Sequence, residues 1–261
     1  MRDLSHHDFL RAFVQVTTRM RWQEDPTYYP RYQSRDESVL AAFAAPAPNG
    51  RWTSWRLAGG QLALISSLLW GNQASVADIE DSCFPELRER GVDAFVRNIA
   101  LEDPLTQRSF DAILSEVIEH FPVPGHIPLA RLHAMLRPGG LLVCSTPNLY
   151  RLRKAVYLLL GRPIFDHFGR PGVRGYGHVL EYSAEHLAWQ FREAGFSNFD
   201  LQLRDFSHRS SRRGDQLLSL LGSPPRKIPR NRDNLLVVAA ANEDKSQTAP
   251  SAREIVTAHA R

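Results

Sequence analysis

Residues 109–121 read SFDAILSEVIEHF. An apolar run of strand character ends in Ser115, Glu116, Glu119 and His120, which sets two carboxylates and an imidazole just beyond a buried element. Such groups can orient an acceptor or take its proton, because an imidazole titrates near neutrality and a carboxylate can be tuned toward it. A second group, Asn148 with His178, Glu181 and Tyr182, brackets the stretch GRPIFDHFGRPGVRGYGH at 161–178. A Gly- and Pro-rich loop at a strand's carboxyl end is well placed to cover a substrate. The plainer alternative is that Glu119 and His120 cap and hydrogen-bond a loop, and that each histidine is an ordinary surface residue. Their common location gives the chemical reading its weight.

Two further groups have the character of ligand contacts. SWRLAGGQLAL at 54–64 carries Ala58, Gly59 and Gly60 between a strand and a helix. Small side chains there let the backbone approach a ligand and aim helix N-terminal amides at its polar groups. A tight structural turn explains the same residues. Asp78 ends the strand ASVAD about 20 residues later, the spacing at which an acid accepts ribose hydroxyls, although a helix N-cap is an equally simple role for it.

These residues need a scaffold that brings strand ends to one edge. From Trp52 onward, short apolar runs alternate with helical segments: strands near 53–57, 74–78, 93–97, 110–114 and 140–145, and helices at 61–70, 84–90 and 127–136. Such alternation predicts an α/β fold with a parallel sheet and helices on both faces, and in open sheets of this kind ligands gather at the carboxyl ends of the strands. LRPGGLLVCSTPN predicts a helix stop, a two-glycine turn and a buried strand from Leu141. Residues 151–160 form an apolar, basic helix. YSAEHLAWQFREAGF predicts a helix with Ser183 as N-cap, Leu187, Phe191 and Ala194 on one face, and Gly195 as stop. NFDLQLRDF and NLLVVAA are two late strands, the latter buried.

Residues 1–50 form an N-terminal helical cap, 51–241 the main domain with a lid insertion at about 150–182, and 242–261 a flexible tail. The 261 residues are 43% hydrophobic, enough for a buried core, and carry a net charge of +4. A basic stretch from Arg204 to Arg232 reads as a solvated face, since few aromatics interleave it for base stacking, so nucleic acid is not the expected partner. No hydrophobic leader or apolar run of membrane-spanning length appears, and with only Cys83 and Cys144 the chain is expected to be cytoplasmic with free thiols. No metal centre is expected.

SFDAILSEVIEH, LRPGGLLVCSTPN, GRPIFDHF and GHVLEYSAEHLAWQFREAGF together resemble the class I S-adenosylmethionine-dependent methyltransferases, in the branch that modifies small molecules and sugars. The similarity covers roughly residues 52–240. It implies a Rossmann-like, seven-stranded, mostly parallel sheet whose last strand is inserted antiparallel. It also implies S-adenosylmethionine as cofactor, held by Ala58, Gly59, Gly60, Asp78, Ile79, Ala100, Leu101, Ser115 and Glu116, with Glu102 or Asp103 in reach of the adenine amine. His120 and His178 would be catalytic, and Glu119, Asn148 and Tyr182 would contact the acceptor. The departures are local. The acid that precedes the family's glycine loop falls on Arg56, and the loop's glycines fall on Ala58, Gly60 and Leu62.

Three functions follow from that combination. The first is methyl transfer to a small-molecule or sugar acceptor. The second is a cofactor-deficient subunit that binds a partner, forming a homo- or hetero-oligomer through the N-terminal cap. The third is an enzyme that uses the same pocket for another reaction.

Overall fold

Seven strands join in the order β3-β2-β1-β4-β5-β7-β6 in a computed structural model that describes residues 4–19, 28–44, 53–57 (backbone only), 60–103, 110–164, 177–206 and 232–242. The strands are β1 (Thr53–Leu57), β2 (Gln73–Asp78), β3 (Asp93–Val96), β4 (Phe110–Ser115), β5 (Leu136–Pro147), β6 (Asn198–Arg204) and β7 (Asn234–Ala240). The first five pair in parallel, while β7 runs antiparallel between β5 and β6. The chain order reverses at β1 and β4, whose carboxyl ends therefore flank the crevice where ligands of such sheets bind.

Period-two side-chain alternation divides the core between the two faces. Ala112, Leu114, Val143 and Leu236 face one cluster, and Ile113, Leu142, Cys144, Leu235 and Val237 face the other. The second face is covered by α5 (His126–Met135) and α7 (Ala184–Glu193). The first is covered by α3 (Gly60–Trp70), α4 (Phe84–Glu89), α1 (His6–Arg19) and α2 (Tyr28–Ala44). Phe9, Phe13, Val39, Leu40 and Phe43 are all buried there, each contributing about 1.5–3 kcal/mol by leaving water. The two N-terminal helices thus form a layer of the main core rather than a cap standing apart from it.

Ser183 caps α7 as its sequence predicts, accepting from the His186 amide, and Leu187 and Phe191 are buried below it. The two-glycine turn differs from expectation. α5 ends at Met135, and Leu136 is already extended and paired with Phe110. Two residues of β4 then match five of β5 before Ala112 meets Leu141, so Arg137–Gly140 bulge within a single long strand. Gly139 takes the left-handed conformation (φ 72°), which favours glycine over any other residue. The lid segment at 165–176, the basic stretch at 207–231 and the tail from 243 lie outside the described residues. No described helix is long and apolar enough to cross a membrane.

Candidate functional site

Ser115 closes β4 in register with Leu57 at the end of β1 and with Cys144 in β5. The chain then turns through Glu116 and Val117 into a single 3-10 turn, Ile118–His120, at the carboxyl edge of the sheet. The segment 177–182 is fastened to this turn. The Glu119 carbonyl accepts from the amides of Val179 and Leu180, at 2.8 and 3.1 Å, and the Leu149 amide donates to the Tyr182 carbonyl. Residues 60 and 61 positions apart are thereby locked side by side.

Glu119 is buried, and Thr146 on β5 donates to its Oε2 at 2.9 Å. Burial pushes its carboxyl up to about 7, although its own backbone amide, His178 and Thr146 favour the ionised form. His120 and His178 meet edge to face with ring centroids 4.9 Å apart. Each presents Nε2 to Glu119 Oε1, at 3.8 and 3.9 Å. Each also has Nδ1 beside an oxygen acceptor: the Gly177 carbonyl lies 2.7 Å from His120, and Glu181 Oε1 lies 2.9 Å from His178.

Glu181 anchors the second histidine and is itself held by two cations. Arg151 binds it through both terminal nitrogens, at 2.6 and 3.0 Å, and Lys154 Nζ lies 2.7 Å from Oε2. Burial works to raise its pKa, but hydrogen bonds from His178, Arg151 and Lys154 prevail and hold it down to about 2. Arg151 and Lys154 come from the start of α6 (Leu152–Leu159), directly after β5. Nothing in the basic helical pattern of 151–160 distinguished these two residues from surface charges.

On the other side of the turn, Glu116 pairs with Arg35 of α2 at 3.2 Å, and Arg35 also reaches Asp36 and stacks over Tyr32 at 4.5 Å. Burial would lower the pKa of Arg35, but the carboxylates of Glu116 and Asp36 raise it above its ordinary value, so this guanidinium stays charged. Sequence reasoning missed Arg35, Asp36 and Thr146. An arginine followed by an acid on a helix is too common to stand out, and Thr146 is one more β-branched residue in a strand.

The remaining expected site residues divide between the edge and the framework. Asp78 ends β2 at the carboxyl edge, where its Oδ1 accepts from the Glu80 amide at 3.2 Å. Ile79 beside it is 45% exposed, and Leu101 in the turn after β3 is 67% exposed, whereas Ala100 is buried. Glu102 folds back to accept from the Asn98 amide at 2.7 Å. Ala58, Gly59 and the Arg56 side chain lie outside the described residues. Gly60 opens α3, and a Cβ there would come within 2.6 Å of the Leu87 side chain. Leu62 is fully buried within α3, in the core that α1 and α2 complete. It departs from glycine because it fills that core.

Two residues expected to contact the acceptor, Asn148 and Tyr182, are buried. Asn148 is buried with its amide nitrogen on the Arg232 carbonyl at 2.7 Å and its Oδ1 on the Tyr150 amide at 3.1 Å. Tyr182 is fully buried, and its hydroxyl lies against Gly125, where an added Cβ would come within 2.7 Å of it. Asn148 thereby ties the end of β5 to the segment before β7.

The sequence of residues 39–201 matches the profile of the methyltransferase domain. The chain belongs to the class I S-adenosylmethionine-dependent methyltransferases. Solved structures share the fold at low identity. A chain of the Haloferax volcanii complex containing the Trm112 methyltransferase activator matches at a TM-score of 0.58 and 13% identity, over 93% of this chain and 99% of that one. Phosphoethanolamine N-methyltransferase 2 of Haemonchus contortus, solved with S-adenosyl-L-methionine, matches at 0.55 and 14%, over 92% of this chain and 60% of that one. A SAM-dependent methyltransferase from Archaeoglobus fulgidus matches at 0.52 and 14%, over 83% of this chain and all of that one. No curated protein matches the sequence. The Glu119–His120–His178 group lies just past the end of β4, toward Thr146 of β5.

Proposed function

We propose that the protein transfers a methyl group from S-adenosylmethionine to a hydroxyl or amine of a small-molecule acceptor, such as a sugar. The observation that carries this reading is the convergence of Glu119, His120 and His178 at the carboxyl ends of β4 and β5, one turn beyond Ser115. The residues present fit the cofactor. Ser115 Oγ is buried with no hydrogen-bond partner among the described residues, at the point where β4 adjoins the end of β1. Leaving such a hydroxyl unsatisfied costs about 1–3 kcal/mol, which a polar ligand group at this edge would relieve. Asp78 would take the ribose hydroxyls, and the exposed faces of Ile79 and Leu101 would cover the adenine.

When bound, S-adenosylmethionine supplies an electrophilic sulfonium methyl. The chain's own residues then have two tasks. They align the acceptor for in-line attack, where positioning supplies most of the rate, and they hold the proton that the acceptor loses. Glu119, with a carboxyl near 7, can receive that proton at neutral pH, with the two imidazoles orienting the acceptor around it.

Calorimetry with S-adenosylmethionine and S-adenosylhomocysteine tests the cofactor, and transfer of a labelled methyl group into a panel of hydroxylated and amine acceptors tests the reaction. Asp78→Ala is expected to weaken S-adenosylhomocysteine at least about tenfold, since hydrogen bonds to a charged group contribute about 1.5–3 kcal/mol each. Absence of binding at millimolar cofactor would sink the proposal.

A further inference from the structure

The geometry points to a divalent transition-metal site formed by Nε2 of His120, Nε2 of His178 and Oε1 of Glu119. One ligand atom from each of the three residues lies within 4.8 Å of the others, and both Nε2 atoms stand 3.8 and 3.9 Å from Oε1 of Glu119. Both imidazoles have Nδ1 at hydrogen-bond distance from an oxygen that can only accept: a backbone carbonyl for His120 and a carboxylate pinned by Arg151 and Lys154 for His178. Nδ1 of each ring is therefore protonated, and in the neutral imidazole Nε2 carries the lone pair. Thr146 occupies Oε2 of Glu119 and leaves Oε1 toward the rings. Three electron-pair donors thus converge on one point, and a cation is the species that such a convergence accommodates.

Each donor also has the outer support typical of a metal ligand. Histidine ligands usually give their second N–H to a carboxylate or a backbone carbonyl, which fixes the tautomer and raises ligand basicity. Here both arrangements occur, one per ring. The spacing is close to that of a formed site. With bonds of about 2.1 Å, ligands at a tetrahedral angle stand about 3.4 Å apart, so the 3.8 and 3.9 Å separations from Glu119 need about half an ångström of contraction, and the two histidines, within 4.8 Å, need at most about 1.4 Å. Two imidazoles and one carboxylate suit zinc, iron or manganese and leave coordination positions open. The site itself lies at the carboxyl edge, where the acceptor is proposed to bind. With an ion bound, Glu119 serves as a ligand in place of taking the acceptor's proton, and the ion would hold an acceptor oxygen and lower its pKa. That role rests on the methyl-transfer reading; the existence of the site does not.

The test uses the full chain, stripped with chelator and titrated separately with Zn2+, Co2+ and Mn2+ by calorimetry. One equivalent is expected to bind. His120→Ala and His178→Ala should each abolish that equivalent at concentrations that saturate the unaltered chain, and Glu181→Gln should weaken it about 10–100-fold through His178. If a variant fails to fold by circular dichroism, spin-echo spectroscopy of the unaltered chain loaded with Mn2+ decides the matter without substitution, because two imidazole ligands give nitrogen couplings. No binding at millimolar ion, binding unchanged in both histidine variants, or a Mn2+ spectrum without nitrogen coupling would each overturn the site. S-adenosylhomocysteine affinity, measured on the stripped and loaded protein, separates the two proposals. Metal without cofactor binding removes the methyl-transfer reading alone, and cofactor without metal binding removes the site alone.

Discussion

Removing the carboxylate of Glu181 is the most informative single perturbation of this edge. The residue is buried, and within 3.0 Å it meets two nitrogens of Arg151, Lys154 Nζ and His178 Nδ1. Lys154 is buried as well, with a side chain only 7% exposed. Glu181→Ala would leave one buried ammonium and one largely buried guanidinium facing a cavity. Breaking a buried pair by deleting one partner costs about 3–5 kcal/mol, because the remaining charge is uncompensated. An independent route gives a similar size. The carboxyl sits near 2 in the folded chain against an ordinary 4.5, and a difference of that order corresponds to about 3 kcal/mol. For a domain of about 150–250 residues this lowers the melting temperature by roughly 6–20 °C. The pH dependence has a definite sign. The folded state holds fewer protons on Glu181 than the unfolded state does, so this contribution is complete above about pH 4.5 and disappears as the pH falls toward 2. Urea unfolding at pH 7 and at pH 3.5 should therefore show a large gap between the unaltered chain and Glu181→Ala at neutrality that narrows in acid. A loss below about 1 kcal/mol at pH 7, or a gap that widens in acid, would refute the account of a buried, charge-compensated anchor.

Two more outcomes follow from the packing. Cys144 is fully buried, and burial together with Glu119 and Glu116 pushes its thiol well above its ordinary pKa, while Cys83 is partly exposed. An aromatic disulfide reagent should titrate one thiol in the native protein and the second only after unfolding; two fast equivalents would contradict the burial. Gly140→Ala should lower stability by about 1–3 kcal/mol in thermal unfolding, because its Cβ would lie 2.9 Å from the Arg137 carbonyl oxygen and 3.0 Å from that of Phe110, neither of which can swing aside.

The parts of the site legible in the sequence are those that a strand end creates locally. SFDAILSEVIEH placed Ser115, Glu116, Glu119 and His120 at one edge because a strand can end in only one place, and whatever follows it stays there. The pairing of His178 with that group was legible only as a shared location. What the sequence could not display is the direction of each ring nitrogen. That direction is set by the Gly177 carbonyl and by Glu181, whose own geometry depends on two cations thirty residues away. The same limit applies to burial. Asn148 and Tyr182 have the residue types of a binding site and stand beside one, yet backbone closure buries them behind it.

The sequence by itself determined the alternation of strands and helices, the Ser183 cap and the assembly of acids and imidazoles at one edge, because hydrophobic period and capping chemistry act over a few residues. Tertiary structure alone decided that the N-terminal helices enter the core, that Leu62 serves packing and that Arg35 occupies Glu116. It also decided that Glu119, His120 and His178 aim their lone pairs at one point. Those outcomes depend on contacts between distant segments, where burial turns ordinary side chains into charged partners whose orientation is no longer their own.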